Sequence, residues 1–112
     1  MGVTEADEAF AEGTPLVELF GKPGRTKLIS VFVDEQGRDL SVSEAARQAG
    51  VARSTVYDHL EYLQDLGIIE EARETGASTR YQLNEDNEIS EKLFQLDGLV
   101  LRKLLERDGE LE

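Results

Sequence analysis

The chain has 112 residues, enough for one domain with a modest core and too few for a second independent one. Its 12 Lys plus Arg stand against 24 Asp plus Glu, a formal net charge of -12, which repels nucleic acid at long range unless the charge is segregated. It contains no cysteine, so disulfides, thiolate metal sites and thiol catalysis are excluded.

The charge is in fact segregated. From Lys22 to Arg80 there are eight basic and ten acidic residues, net -2, while the rest of the chain holds four basic and fourteen acidic, net -10. No apolar run approaches the roughly 18 residues needed to span a bilayer, and the opening residues have no basic region followed by an apolar one. The expectation is a cytoplasmic protein with no membrane partner.

In chain order, residues 1–13, MGVTEADEAFAEG, carry four acids and no base and read as an acidic, flexible tail. Thr14 offers a helix N-cap, Pro15 suits the first helical position and Gly21 supplies a stop, so TPLVELF predicts a short helix. In RTKLISVFVDEQ the residues Leu28, Ile29, Phe32 and Val33 share one helical face. The β-branched content leaves a strand open there, and the elements that follow favour a helix.

Ser41 and Glu44 have the S-x-x-E spacing of a capping box, which predicts a helix over Val42 to Ala49. Gly50 ends it, Val51 drops into the turn, and Val56, Leu60 and Leu63 recur as the buried stripe of a second helix ended by Gly67. IIEEAR and TRYQL then read as two strands joined near Thr75 to Ser78, where Gly76 can take the positive φ of a hairpin turn.

From Glu88 to Arg107 a single long helix is expected, carrying Ile89, Leu93, Phe94, Leu96, Leu99, Val100, Leu101, Leu104 and Leu105. That stripe is wider than a small domain buries in one packing contact, and Gly98 in its middle would let a partner backbone approach closely. A symmetric homodimer is therefore expected, with Ile89, Leu93, Leu96, Val100, Leu101, Leu104 and Leu105 at its interface. The division that results is a tail over 1–13, a compact domain over 14–84 and the interface helix over 85–112.

Catalysis finds no support in the spacing. No nucleophile sits with a base, and GKPGRTK departs from a phosphate-binding loop because Gly21 and Gly24 are only three apart and Thr26-Lys27 reverses the order. The one histidine, His59, reads as a surface or packing residue rather than a metal ligand. Neither an enzyme, a cofactor nor a metal site is expected.

Helix, helix, tight turn, helix, hairpin is the order of a winged helix-turn-helix domain. EAARQAGVARSTVYDHLEYLQDLGII resembles that family, with small Ala45 and Ala46 where helices cross, Gly50 at the turn, S-T-V-x-x-H-L in the recognition helix and L-G-I-I leading into the wing. TRYQLN looks like the returning wing strand. The resemblance covers roughly Pro15 to Asn84 and is closest to haloarchaeal regulators allied to the arsenic-repressor and multiple-antibiotic-resistance groups. It implies a mainly α fold with a small β-hairpin wing, here followed by a long C-terminal dimerisation helix, and a homodimeric transcriptional regulator that binds double-stranded DNA. The excess of Arg over Lys, eight to four, within so acidic a chain resembles the proteins of salt-loving archaea.

With Val56, Leu60 and Leu63 turned inward, a 100° advance per residue puts Ser54, Asp58 and Glu61 opposite, with Arg53 and Tyr57 on one flank and Thr55 and His59 on the other. The candidate DNA-binding residues are therefore Arg53, Ser54, Thr55, Tyr57 and Asp58, joined by Arg73 and Arg80 on the wing. Two features depart from the family pattern. Ala52 stands where a Ser usually caps the recognition helix, and Asp58, Glu61 and Asp65 lie where bases would be more comfortable near phosphate. The competing reading is a winged helix used only for protein contact, which the net acidity favours.

Overall fold

The computed structural model describes residues 10–76 and 78–109, so the expected tail over 1–13 falls largely outside the described residues. The first helix, α1 (Pro15–Phe20), has Thr14 at its N-cap position. The Thr14 hydroxyl does not cap it; Oγ1 donates backward to the Ala11 carbonyl at 2.9 Å. At the other end, α1 is fastened by the next helix, α2 (Pro23–Asp34): Arg25 Nη1 donates to the Glu18 carbonyl and Thr26 Oγ1 to the Phe20 carbonyl at 2.8 Å. These side chains satisfy carbonyls that a helix end leaves free.

The stretch that left helix and strand open is α2, and Leu28, Ile29, Phe32 and Val33 are all buried in it, as the helical face predicts. Phe32 is 1% exposed and central, so truncation to Ala would cost about 3–5 kcal/mol. Around it lie Val56, Leu60, Leu63, Ile68, Ile69 and Leu83 from the later elements.

A two-residue strand, β1 (Leu40–Ser41), precedes α3 (Val42–Ala49). The capping box forms in full: Glu44 N donates to Ser41 Oγ and Ser41 N to Glu44 Oε1, each at 3.1 Å. Gly50 takes φ +72, a left-handed conformation that glycine reaches without strain, and the Val51 N–H returns to the Ala46 carbonyl at 3.0 Å. Ala45 and Ala46 are buried, and their small side chains let α3 lie close to α4 (Arg53–Asp65).

The wing is β2 (Ile69–Thr75) and β3 (Ser78–Leu83), antiparallel, with register Ile69↔Leu83 running out to Thr75↔Ser78. The sheet has a third member. β1 pairs with β3 through Leu40↔Tyr81 and Ser41↔Arg80, giving the order β1-β3-β2. A bulge between Glu71 and Arg73 sets Arg73 opposite Arg80.

The last helix, α5 (Glu88–Arg107), starts at an Asn87 cap whose Oδ1 accepts from Ile89 N at 2.8 Å and Ser90 N at 3.2 Å. Ser90, fully buried, donates its hydroxyl to the Ile68 carbonyl at 2.9 Å, and Leu93 enters the core. Beyond Leu93 no residue of α5 is fully buried. The Cα radius of gyration is accordingly 16.2 Å, against about 13 Å for a compact chain of this length.

Candidate nucleic-acid interface

The N-terminal turn of α4 is the exposed end of the helix-turn-helix. Arg53, Ser54, Tyr57 and Asp58 all face solvent, and Tyr57, with 62% of its surface exposed, is not part of the core. Ala52 is the N-cap residue and supplies no side-chain acceptor. The first backbone N–H groups of α4 therefore lack the partner a Ser would provide, and with the positive end of the helix dipole they suit an anionic oxygen.

Arg53 Nη1 donates to Ser43 Oγ at 3.2 Å, linking the start of α4 to the start of α3. Between these helices and the wing lies a polar cleft of about 340 Å³ lined by Ser41, Ser43, Arg53, Tyr57, Thr79 and Tyr81. Burial, with Glu71 nearby, raises the Tyr81 hydroxyl above the ordinary tyrosine range, so it is a neutral donor at physiological pH.

Thr55 differs from the expectation that groups it with the exposed residues. It is half-buried and turned to α2, where its Cγ2 would lie 2.8 Å from a Cβ built on Gly24. The same glycine brings α2 against His59, whose Nε2 is 3.4 Å from that position. Thr55 and His59 share a flank of α4, and it is this flank that faces α2.

The wing arginines are also placed otherwise than expected. Arg80 is only one-fifth exposed; its Nε donates to Asp39 Oδ1 at 2.7 Å and its Nη2 to Glu44 Oε1 at 2.8 Å and the Asp39 carbonyl at 3.1 Å. It is a bracket between the wing and the α3 capping box, not a side chain lying along a neighbouring groove. Arg73 is 59% exposed and also reaches Asp39, Nε to Oδ2 at 2.8 Å and Nη2 to Oδ1 at 3.3 Å. Hydrogen bonds from the two guanidinium groups hold the Asp39 carboxyl down to about 2. The Glu44 carboxyl is lowered too, first by the Ser41 N–H and then by Arg80.

Two further polar residues are buried, Arg25 with no sequence signal and His59 in keeping with its reading as a packing residue. Arg25, 5% exposed, lies with its guanidinium carbon 3.5 Å from the Tyr62 ring centroid, joining α1, α2 and α4. His59, 9% exposed, has no hydrogen-bond partner at Nδ1 among the described residues. Burial and the charges of Arg25 and Lys22 outweigh the pull of Asp58 and hold its imidazole below the usual histidine range. A buried Arg is legible only once its stacking partner is known.

On α5 the apolar stripe is open. Phe94, Leu96, Leu99, Val100, Leu101 and Leu104 are between 42 and 57% exposed, and a Cβ on Gly98 would meet nothing within 4 Å. Leu93, expected at the interface, is instead 8% exposed in its own core, because it falls on the side of α5 that meets α2. Leu105 is half-buried, and Ile89 borders a separate apolar groove with Leu19, Tyr62 and Leu66. A groove of about 260 Å³ runs between α2 and α5, lined by Phe20, Ile29, Val33, Leu96 and Val100 among others.

Among the described residues no group of three or more His, Asp or Glu is placed to hold a metal ion, and no helix is long and apolar enough to cross a membrane. No curated protein matches the sequence. A model of the IclR helix-turn-helix domain matches residues 32–73, from the end of α2 into the wing. Among solved structures, the AntR antimony-specific transcriptional repressor superposes with a TM-score of 0.59 at 24% identity, covering 88% of this chain and 86% of that one. The apo form of Lactococcus lactis ZitR gives 0.63 at 13% identity, covering 87% and 76%. The homodimeric winged helix-turn-helix DNA-binding domain of a possible ArsR-family regulator from Mycobacterium bovis gives 0.56 at 23%, covering 92% and 95%. The chain thus resembles winged helix-turn-helix transcriptional regulators, and it shares with repressors the fold through which DNA-binding regulators of this kind are built.

Proposed function

We propose that the chain is a sequence-specific, DNA-binding transcriptional regulator that acts in the cytoplasm as a homodimer and works at high salt. The observation that carries this reading is the open N-terminal turn of α4, with Arg53, Ser54, Tyr57 and Asp58 presented beside a hydroxyl-lined cleft at the wing. Residues 14–84 form the reading head in this proposal, and 85–112 the dimerisation segment.

Inserted in a major groove, α4 offers Arg53 to a guanine edge or a phosphate and Tyr57 to sugar or base, while its free N–H groups take a phosphate oxygen. Asp58 selects for a cytosine amino group and against close phosphate. The open stripe of α5 supports the dimer, since apolar faces of that extent usually mark an interface. Two reading heads about 34 Å apart would match successive turns of a pseudo-palindrome. Molar salt favours the arrangement, because a Debye length of about 3 Å removes the long-range repulsion of the acidic segments.

The test is a fluorescence titration in concentrated KCl with a duplex selected by crosslinking and sequencing, against a random duplex of equal length, alongside light scattering. Preference for the selected duplex and a mass twice 12.5 kDa are expected, with Leu101→Glu giving monomers that lose the preference. Equal affinity for both duplexes would refute sequence-specific binding, and the absence of any enriched duplex would favour the rival reading of a protein-contact module, with which the net charge of -12 agrees.

A further inference from the structure

The bulge at Glu71/Arg73 sets Arg73 directly across from Arg80, two like charges on paired strands, a placement that repels unless an anion bridges them. Asp39, the residue before β1, is that anion, and each of its carboxylate oxygens accepts from Arg73. The two arginines are not held alike. Arg80 has a second carboxylate, Glu44, and a backbone carbonyl, and is mostly covered; Arg73 has, among the described residues, only Asp39, and is mostly open.

We propose that Asp39 is an internal competitor for duplex phosphate, occupying Arg73 so that the wing contributes little counterion release and binding depends only shallowly on salt. The inference rests on the DNA-binding reading above. Its physics is that each phosphate neutralised by a cation adds about -0.9 to the slope of log Kobs against log salt. A guanidinium already engaged by a carboxylate gains no net charge neutralisation by exchanging it for phosphate. Arg80 stays on Glu44 whatever happens at Asp39, so Arg73 is the one cation that Asp39 controls.

The experiment measures that slope for wild type, Asp39→Asn, Arg73→Ala and the double variant, on the selected duplex, with circular dichroism melts to establish folding. Asp39→Asn should steepen the slope by about 0.9, so that it gains about eightfold in affinity over wild type for each tenfold dilution of salt. The gain should vanish in the double variant, and Arg73→Ala alone should keep the wild-type slope. A shallower slope in Arg73→Ala would overturn the proposal, because Arg73 would already be on phosphate; this variant decides the matter if Asp39→Asn does not fold. Binding by wild type with an unchanged slope in a folded Asp39→Asn also overturns it and leaves the DNA-binding reading intact. Failure of wild type to bind the duplex would remove the DNA-binding reading and the proposal with it.

Discussion

The junction between α4 and α5 can be tested with Gly67→Ala. Gly67 follows Leu66, the C-cap of α4, at φ +77, and a Cβ there would sit 2.5 Å from Asn87 Nδ2. Asn87 cannot simply swing aside. Its Oδ1 accepts from Ile89 N and Ser90 N, starting α5, and its Nδ2 donates to the Leu66 carbonyl at 3.2 Å, closing α4. The left-handed backbone alone costs an alanine about 1–2 kcal/mol, and displacing the cap adds about 1 kcal/mol, so Gly67→Ala should lose about 2–3 kcal/mol. Asn87→Ala should lose about 1 kcal/mol. In the double variant the clash has gone and only the backbone cost remains for Gly67→Ala, about 1–2 kcal/mol, so the two changes should couple by about 1 kcal/mol. Urea unfolding at fixed salt, with an unchanged m-value, measures all three. Strict additivity would refute the reasoning, because it would mean that the new methyl group and the Asn87 cap do not compete for the same space.

Other outcomes follow from the same physics. Ala52→Ser should raise stability by about 1 kcal/mol by capping α4, read as a higher melting midpoint at fixed salt; a lower midpoint would show that the hydroxyl finds no helix N–H there. Because the folded His59 imidazole titrates below 6.5 and the unfolded one near it, its contribution is full above about pH 6.5 and is lost as pH falls toward the folded value. Melts taken across that window should fall with acidification in wild type and change less in His59→Gln, and parallel slopes would place the titration elsewhere.

Secondary structure was legible wherever a local device carried it. The capping box at Ser41 and Glu44 marks the start of α3, Gly50 its end, and the apolar period of Glu88 to Arg107 the length of α5. What was not legible depends on partners far along the chain. β1 is two residues long, too short for any alternation to show, and exists because β3 returns beside it. Arg73 and Arg80 look like free wing cations from sequence, yet both meet Asp39, 34 and 41 residues away. The helical wheel put Thr55 and His59 together on one flank, but only the close approach at Gly24 decides that this flank is covered and the Arg53 and Tyr57 flank is open.

The electrostatics and the proposed dimer belong together. A winged helix that binds DNA mainly through cations is strong in dilute salt and fails in concentrated salt, since counterion release supplies most of its affinity. Here the wing cations are already matched to carboxylates, and the open end of α4 offers hydroxyls, one tyrosine, one arginine and helix N–H groups. Those groups act over hydrogen-bond distances and keep their strength when charges are screened, but one such set makes a weak half-site. Joining two sets rigidly raises the effective concentration of the second without adding charge, and so recovers affinity by a route that salt does not weaken. On the proposed reading the long apolar face of α5, anchored to the end of α4 through Asn87 and Ser90, makes that rigid link. Apolar association is itself not screened, and kosmotropic salts strengthen it. On the proposed reading, then, the acidity of the chain and the exposed leucines of α5 are two answers to the same condition.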